Sequence, residues 1–253
     1  PSRIAETMKG FDRVLDYSAF SSKITGNPDH LPHGVDTTVF KPYPRAEARK
    51  HFAESGFTGL TKDTLLIGIV ATNQARKNWA LGMQTAKILM DRGHNVRAWA
   101  HTDIISRYWD IGQLVVDYGL VGRVAVTMSR FTDEQMVQLY SGCDVTMGIG
   151  PEGWGLPLCE SLACGVPVIT GKYAAQAEYV PARMLVNPIA FHYEGAFCSK
   201  RPVFNPADWA DTVEAVAIES KQVAQHSLLP DWIDWNGPTL WPAWQQWFLK
   251  GIE

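Results

Sequence analysis

Cysteine is scarce in this chain: four in 253 residues, with no two standing as CxxC. The spacing excludes a zinc ribbon or a dithiol redox motif. Three of the four, Cys143, Cys159 and Cys164, lie in apolar runs and, like Cys198, read as reduced thiols. Excess charge is scarce as well. A net charge of −3 gives no overall field for nucleic acid, so no nucleic acid is expected as a partner, although a local basic patch is compatible with it. No basic segment followed by an apolar one opens the chain, and no apolar run approaches the ~20 residues needed to span a bilayer. The expected location is cytoplasmic. HExxH, Cys/His zinc spacing and D-x-D are all missing, so neither a metal nor a resident cofactor is expected.

What is present is a 46% hydrophobic chain, long enough for one large or two small domains. Its most informative stretch runs from Gly148 to Thr170, GIGPEGWGLPLCESLACGVPVIT, after the buried-strand pattern CDVTM. It reads as strand, glycine loop, helix, glycine, strand. Gly150, Gly153 and Gly155 let the backbone turn and approach a ligand, Leu156 or Pro157 opens the helix, and Gly165 ends it with Pro167 beyond. The free amides of that first turn, with the helix dipole behind them, suit an anion or hydroxyl groups. Gly148, Gly150 and Gly153 also fit G-x-G-x-x-G. A dinucleotide fold is the weaker reading, because the motif follows several βα units and the next strand ends in Gly171 and Lys172 instead of an acid for a ribose.

Two carboxylates, Glu152 and Glu160, frame the seat with seven residues between them. A carboxylate accepts two hydrogen bonds at once and so suits vicinal diols, whereas in an anonymous helix Glu160 would be a solvated or salt-bridged face residue. The string PEGWGLPLCESLACGVPVI resembles the E-x7-E signature of glycosyltransferase family 4, retaining enzymes of the two-domain GT-B fold. The resemblance implies a nucleotide sugar as donor, held by Gly153, Trp154, Gly155, Leu156 and Glu160, with Glu152 on the donor-sugar hydroxyls and Glu160 on the ribose. The acceptor, whether sugar, lipid or protein glycan, stays unknown, and beside the retaining enzyme of hexosyltransferase type stands a second reading, a nucleotide-sugar-binding module inactive without an acceptor-binding half. A glycoside hydrolase using the same two acids would need facing carboxyls about 5 to 9 Å apart, which a loop-then-helix placement does not favour.

Around this stretch the chain reads as βα units. TLLIGIVA is a buried strand leading into TNQARKNWALGMQTAKILMDRG, whose apolar spacing is helical. Arg76 and Lys77 then fall at the helix start, where cations oppose the dipole by roughly 0.3–1 kcal/mol each. A bound diphosphate would offset that, as would water and acidic neighbours at a surface; the resemblance implies the first, with Arg76, Lys77 and Glu152 as the catalytic set. NVRAWAHT and RVAVTM are strands, DIGQLVVDYGL and TDEQMVQLYSG helices, the latter capped by Thr132. Strands alternating with helices predict a mostly parallel sheet with ligands beyond the carboxyl ends of its strands. His101, Asp103 and Arg130 occupy such ends and are donor-site candidates, with a structural role as the favoured reading for His101 and Asp103. The fold expected is α/β, Rossmann-like, one half of a GT-B fold.

Three segments complete the expectation. Residues 1–32 contain a helical pattern, RIAETMKGF, and a strand-like run, RVLDYS, and are similar to the end of the family's acceptor-side half and linker, which implies that most of that half is absent. LPHGVDTTVFKP resembles the inter-domain linker, and His33 has two readings, one approaching the cleft and the favoured one an exposed linker residue. Residues 33–225 form the nucleotide-sugar-binding domain, in which 188–206 is a patternless insertion without a functional reading. Residues 226–253 end in a helix whose Trp241, Trp244, Trp247 and Phe248 make an aromatic stripe, docking back towards the N-terminal half and otherwise available for self-association.

Overall fold

The computed structural model describes residues 6–54, 57–102, 108–195, 199–222 and 226–250. Six parallel strands form one sheet: β1 (Leu65–Val70), β2 (Val96–His101), β3 (Val124–Thr127), β4 (Val145–Gly148), β5 (Val168–Gly171) and β6 (Leu185–Val186), in the order β3-β2-β1-β4-β5-β6. The order reverses between β1 and β4, where Ile67 pairs with Val145 and Gly68 with Thr146. At such a switch point the loops leaving adjacent strands diverge and open a crevice. The central strands are hydrophobic on both faces, as a parallel sheet covered by helices requires; β4 and β5 are buried throughout.

The helices are α1 (Ala19–Thr25), α2 (Arg45–Glu54), α3 (Trp79–Asp91), α4 (Ile111–Asp117), α5 (Asp133–Gly142), α6 (Leu156–Ala163), α7 (Pro206–Gln222) and α8 (Leu240–Leu249). The cap read from the sequence, Thr132, is found on α5, and the structure adds Asp110 on α4 and Asn78 on α3. Thr132 and Gln135 form a reciprocal capping box on α5, and Asp110 accepts from the Gln113 amide on α4. The core is unusually aromatic, with Trp79, Trp99, Trp209 and Tyr140 fully buried. Side chains of that size remove roughly 150–250 Å² each from water, so four of them are a large share of what holds helices to the sheet. Cys143, Cys159 and Cys164 are free and buried, and burial pushes the Cys159 and Cys164 thiols up to about 12. Cys198 lies outside the described residues.

Four local expectations are corrected. RVLDYS is not a strand of the sheet; its backbone pairs locally instead, in one isolated bridge from Asp16 to His30. The polar stretch after it is helix α1, capped by Ser18, whose hydroxyl accepts from the Ser21 amide. Arg76 and Lys77 lie outside α3, in the loop before its N-cap Asn78. Residues 188–206 are not patternless: they hold an antiparallel hairpin, β7 (Ala190–Glu194) and β8 (Ser199–Val203), with His192 opposite Arg201.

The two chain ends meet. Val35 donates to the Ile233 carbonyl and accepts from the Trp235 amide, and the Trp244 indole donates to the Pro32 carbonyl at 3.0 Å. The Arg13 guanidinium lies 3.9 Å from the Trp247 ring centre. Trp244 and Trp247 are thus half-covered by residues 13–35, while Trp241 and Phe248 remain exposed. At the other end of this segment, the amides of Ala19 and Phe20 donate to the Glu178 carboxylate at 3.2 and 2.6 Å.

Just before Glu178, Ala174 has φ 67° and ψ −162°, the one non-glycine residue with positive φ among those described. That region is essentially glycine's, at a cost of order 1–3 kcal/mol for other residues. Replacing Ala174 by Gly is therefore expected to raise stability by about 1 kcal/mol, after subtracting the extra freedom of glycine in the unfolded chain. A urea titration of both proteins, reading the midpoint at constant slope, checks it.

Candidate functional site

Two loops meet beyond the carboxyl ends of β1 and β4. The Asn78 amide donates to the Ile149 carbonyl at 3.0 Å, while the Asn78 side chain caps α3 by accepting from Leu81. The approach is close enough that a Cβ on Gly150 would stand 2.7 Å from the Arg76 carbonyl oxygen, so only glycine lets the loops touch. Across the joint lies Glu152. One carboxylate oxygen accepts from the Lys77 ammonium, the other from the Arg76 guanidinium at 3.2 Å, which also donates to the Pro151 carbonyl at 2.7 Å. Glu152 is held from behind too: its amide donates to the Gln176 side chain at 3.0 Å, and buried Gln176 donates to the Gly150 carbonyl.

Lys77 is 4% exposed, and burial, with Arg76 beside it, pushes its ammonium down to about 7. The Glu152 contact acts the other way and favours the charged form. Burial, and then the nearby Arg201, lower the Arg76 guanidinium as well. Two partly desolvated cations sharing one carboxylate form a spot where further negative charge is welcome.

Beside this cluster α6 begins. Its N-cap, Gly155, has φ 99°, and a Cβ there would meet the Tyr179 hydroxyl at 2.9 Å and Glu152 Cγ at 3.1 Å. The Tyr179 hydroxyl donates to the carbonyls of Trp154 at 2.7 Å and Gly155 at 3.2 Å, which turns the adjoining amides towards the opening. The Trp154 indole itself is buried against Tyr179 and the edge of Trp232. What Trp154 offers a ligand is backbone; its ring is a buttress. Gly153 is exposed with open space beside it, and Leu156 is a half-exposed apolar rim. Glu160, one turn further along α6, accepts from the Tyr140 hydroxyl at 2.7 Å; burial raises its pKa and that hydrogen bond opposes the rise.

These groups border a pocket of about 370 Å³. It continues past Val70–Thr72 and Pro157 into a recess of about 250 Å³ lined by His101, Thr127 and Met128. Arg76, Lys77, Glu152, Gly153, Trp154, Gly155 and Leu156 are thus brought together, with His101 at the far end, its ring nitrogen 2.8 Å from the Thr127 hydroxyl. Glu160 and Arg130 border neither part; Arg130 is fully at the surface. Asp103 lies outside the described residues. His33, expected as an exposed linker residue, instead lines the pocket with its ring 3.9 Å from that of Tyr17, and burial lowers its pKa. Tyr17 was missed altogether. It stands far from the motif in sequence, and no local pattern marks it; only the folding back of residues 13–35 brings it there.

The fold is that of one Rossmann-like half of a GT-B glycosyltransferase: sucrose-phosphate synthase from Thermosynechococcus elongatus superposes with a TM-score of 0.67 at 18% identity, over 100% of this chain and 62% of that one. Anabaena HepE in complex with UDP-glucose superposes with a TM-score of 0.64 at 16% identity, over 88% of this chain and 60% of that one. More particularly, residues 114–191 match the family described as glycosyl transferases group 1. A curated relative, D-inositol 3-phosphate glycosyltransferase from Mycolicibacterium smegmatis, is 28% identical over 216 residues, 81% of this chain and 44% of its own length. The chain therefore spans less than half of that relative. No helix among the described residues is long and apolar enough to cross a membrane.

The geometry around Gly155 yields a prediction. Gly155→Ala forces both a left-handed alanine and a clash with Tyr179 and Glu152, with an expected stability loss of about 2 kcal/mol. The loss is read from thermal or urea unfolding. A neutral result would mean that the α6 head is not built as tightly as described.

Proposed function

We propose that this chain binds a nucleoside diphosphate sugar and provides the donor side of glycosyl transfer with retention, without a metal. The observation that carries the reading is the cation pair, buried Lys77 and half-buried Arg76, bridged by Glu152 beside the first turn of α6. Breaking the bond from sugar to diphosphate builds negative charge on the leaving phosphate while the ring becomes oxocarbenium-like. Preorganised donors aimed at that phosphate are usually the largest catalytic term. Lys77, Arg76 and the amides of Gly155 and Leu156 provide positive character at one place without an added ion. Glu152, already neutralised by two cations, has its carboxylate at the pocket wall, where sugar hydroxyls can hydrogen-bond to it.

In this reading the His101 recess takes part of the nucleoside, and Glu160, held by Tyr140 and outside the pocket lining, would have to turn inwards to take the ribose. Arg130 would have to swing inwards to contribute. Neither acid acts as general base; the leaving phosphate accepts the acceptor's proton on the face it departs from, which gives retention. The likeness to HepE, whose complexes contain UDP and UDP-glucose, supports a uridine nucleotide as the first donor to try, and the curated relatives' name supports a sugar transfer. The acceptor stays open. Transfer is a property of whole proteins of which this chain spans 44%, so donor binding is the quantity to measure first. The same reading places the donor site in the 33–225 unit and keeps α8 as a helix docked on the N-terminal segment; with nucleotide sugars as cytosolic donors, it also places the chain in the cytoplasm.

Two measurements test this. Titration with UDP-glucose and UDP in chelator-treated buffer is expected to give saturable binding, weakened at least tenfold by Arg76→Ala; unchanged binding in that variant removes the diphosphate assignment. The second concerns protons. Lys77 sits near 7 in the free chain, and a diphosphate favours its charged form, so the complex holds more protons than the free chain above pH 7. Affinity should consequently fall as pH rises from 7 to 9, with net proton uptake at pH 8 seen as a dependence of binding heat on buffer ionisation enthalpy. Binding that is flat in pH with no proton uptake would contradict the role given to Lys77.

A further inference from the structure

A second pocket lies on the other side of the Arg76 loop. It measures about 220 Å³ and shares only Arg76 with the pocket described above. Its floor is the loop joint itself, at Asn78, Ile149 and Pro151, and its outer wall is the β7–β8 hairpin. The chemistry of that wall follows from register. His192 and Arg201 are direct partners across the antiparallel ladder, so both side chains leave the same face, and Glu194, two residues on from His192, shares it. All three border the pocket.

The cations here are not used up. Arg201 spends its Nε on Glu194 at 2.6 Å, and Arg76 spends its Nε on Gln74 and one terminal nitrogen on Pro151 and Glu152. The remaining guanidinium nitrogens of both residues have no hydrogen-bond partner among the described residues. A guanidinium is a fork of five donors matched to planar or tetrahedral oxyanions. Within the pocket, two guanidinium groups and an imidazole face one carboxylate, and the two arginines are near enough to lower Arg76 by mutual repulsion. An oxyanion between them would relieve that.

The other half of the lining is apolar and flat: Trp109, Phe204, Pro202 and Pro151. Trp109 is fixed by its own hydrogen bonds, the indole donating to the Gln74 carbonyl at 3.1 Å, and Phe204 by edge contact with buried Trp209. The volume is below the ~300–1,000 Å³ usual for drug-sized ligands, which limits the occupant to about one ring with one charged group. We propose that this pocket is a binding site, separate from the donor site, for a small molecule that joins an oxyanion to a flat apolar body, the oxyanion held by Arg76, Arg201 and His192 and the body by Trp109 and Phe204. The site stands on the hairpin and shares Arg76 with the donor reading, and the hairpin residues Arg201 and His192 separate the two.

Phenyl phosphate is the probe, titrated by calorimetry into the full chain, with inorganic phosphate and benzoate as arms that separate the oxyanion from the ring. Phenyl phosphate is expected to bind saturably, at least fivefold more tightly than inorganic phosphate; equal affinities would remove the apolar half of the site. Benzoate binding as tightly as phenyl phosphate supports a planar oxyanion, and weaker benzoate binding a tetrahedral one; both keep the site. Arg201→Gln is expected to weaken phenyl phosphate at least tenfold, and His192→Gln, at an exposed position, at least threefold. Gly153→Glu provides the control, because it puts a negative charge into the donor pocket at a residue with open space and lines that pocket alone. Its phenyl phosphate affinity should stay within twofold of the parent. If the probe is instead lost in Gly153→Glu and retained in Arg201→Gln and His192→Gln, it occupies the donor pocket and the proposal is wrong; no saturable binding of any of the three probes overturns it as well.

Discussion

The site depends on one carboxylate held between a buried lysine and a half-buried arginine. Glu152 is the point at which the loop after β1 and the loop after β4 become one body, and everything nearby adjusts to it. Gly150 gives way so that the loops can touch, Gln176 props the Glu152 amide from behind, and Gly155 adopts a left-handed conformation so that α6 starts immediately beside it. A single ion pair at a surface would contribute little. Here Lys77 is enclosed, and removing its partner would leave a buried charge alone, which is several times more costly than an exposed pair is favourable.

That arrangement explains how a site for an anion can contain an acid. The carboxylate holds Lys77 and Arg76 in place and opposes the loss of charge that burial imposes on Lys77, and it supplies acceptor oxygens on the side where hydroxyl groups would lie. The sheet makes the position available: at the reversal between β1 and β4 the two loops leave in different directions, and the crevice between them is filled only in part by side chains. Residues 13–35 then close one flank, bringing Tyr17 and His33 to the pocket, and the Trp244 indole on Pro32 fixes that segment from outside.

The corrections share a physical origin. Arg76 and Lys77 were read onto the helix because the apolar spacing of α3 runs back towards them; the Asn78 cap, whose side chain accepts from Leu81, stops the helix one residue short and leaves both in the loop, where they can reach Glu152. His33 looked like a surface linker residue because nothing local says that Tyr17 will stack on it. The hairpin at 190–203 escaped notice because its strands alternate weakly and carry charges at the paired positions; its order comes from cross-strand pairing and from Phe204 resting on Trp209. Trp154 was legible as a site residue, but only packing decides that its ring faces inwards and its backbone outwards.

By itself the sequence determined the βα rhythm, the Thr132-capped start of α5, the buried central strands and the acid–glycine stretch at 148–170, since each of these is fixed by short-range periodicity and by residues whose backbone preferences act within one turn. It also marked Arg76, Lys77 and Glu152 as candidates. Only the tertiary structure decided that the two cations bridge the same carboxylate, that Glu160 is tied to Tyr140, and that a hairpin and an N-terminal segment wall two separate pockets. Those contacts join residues from about 20 to more than 150 positions apart, and a contact of that kind depends on how the sheet orders its strands and packs its faces, which no local pattern encodes.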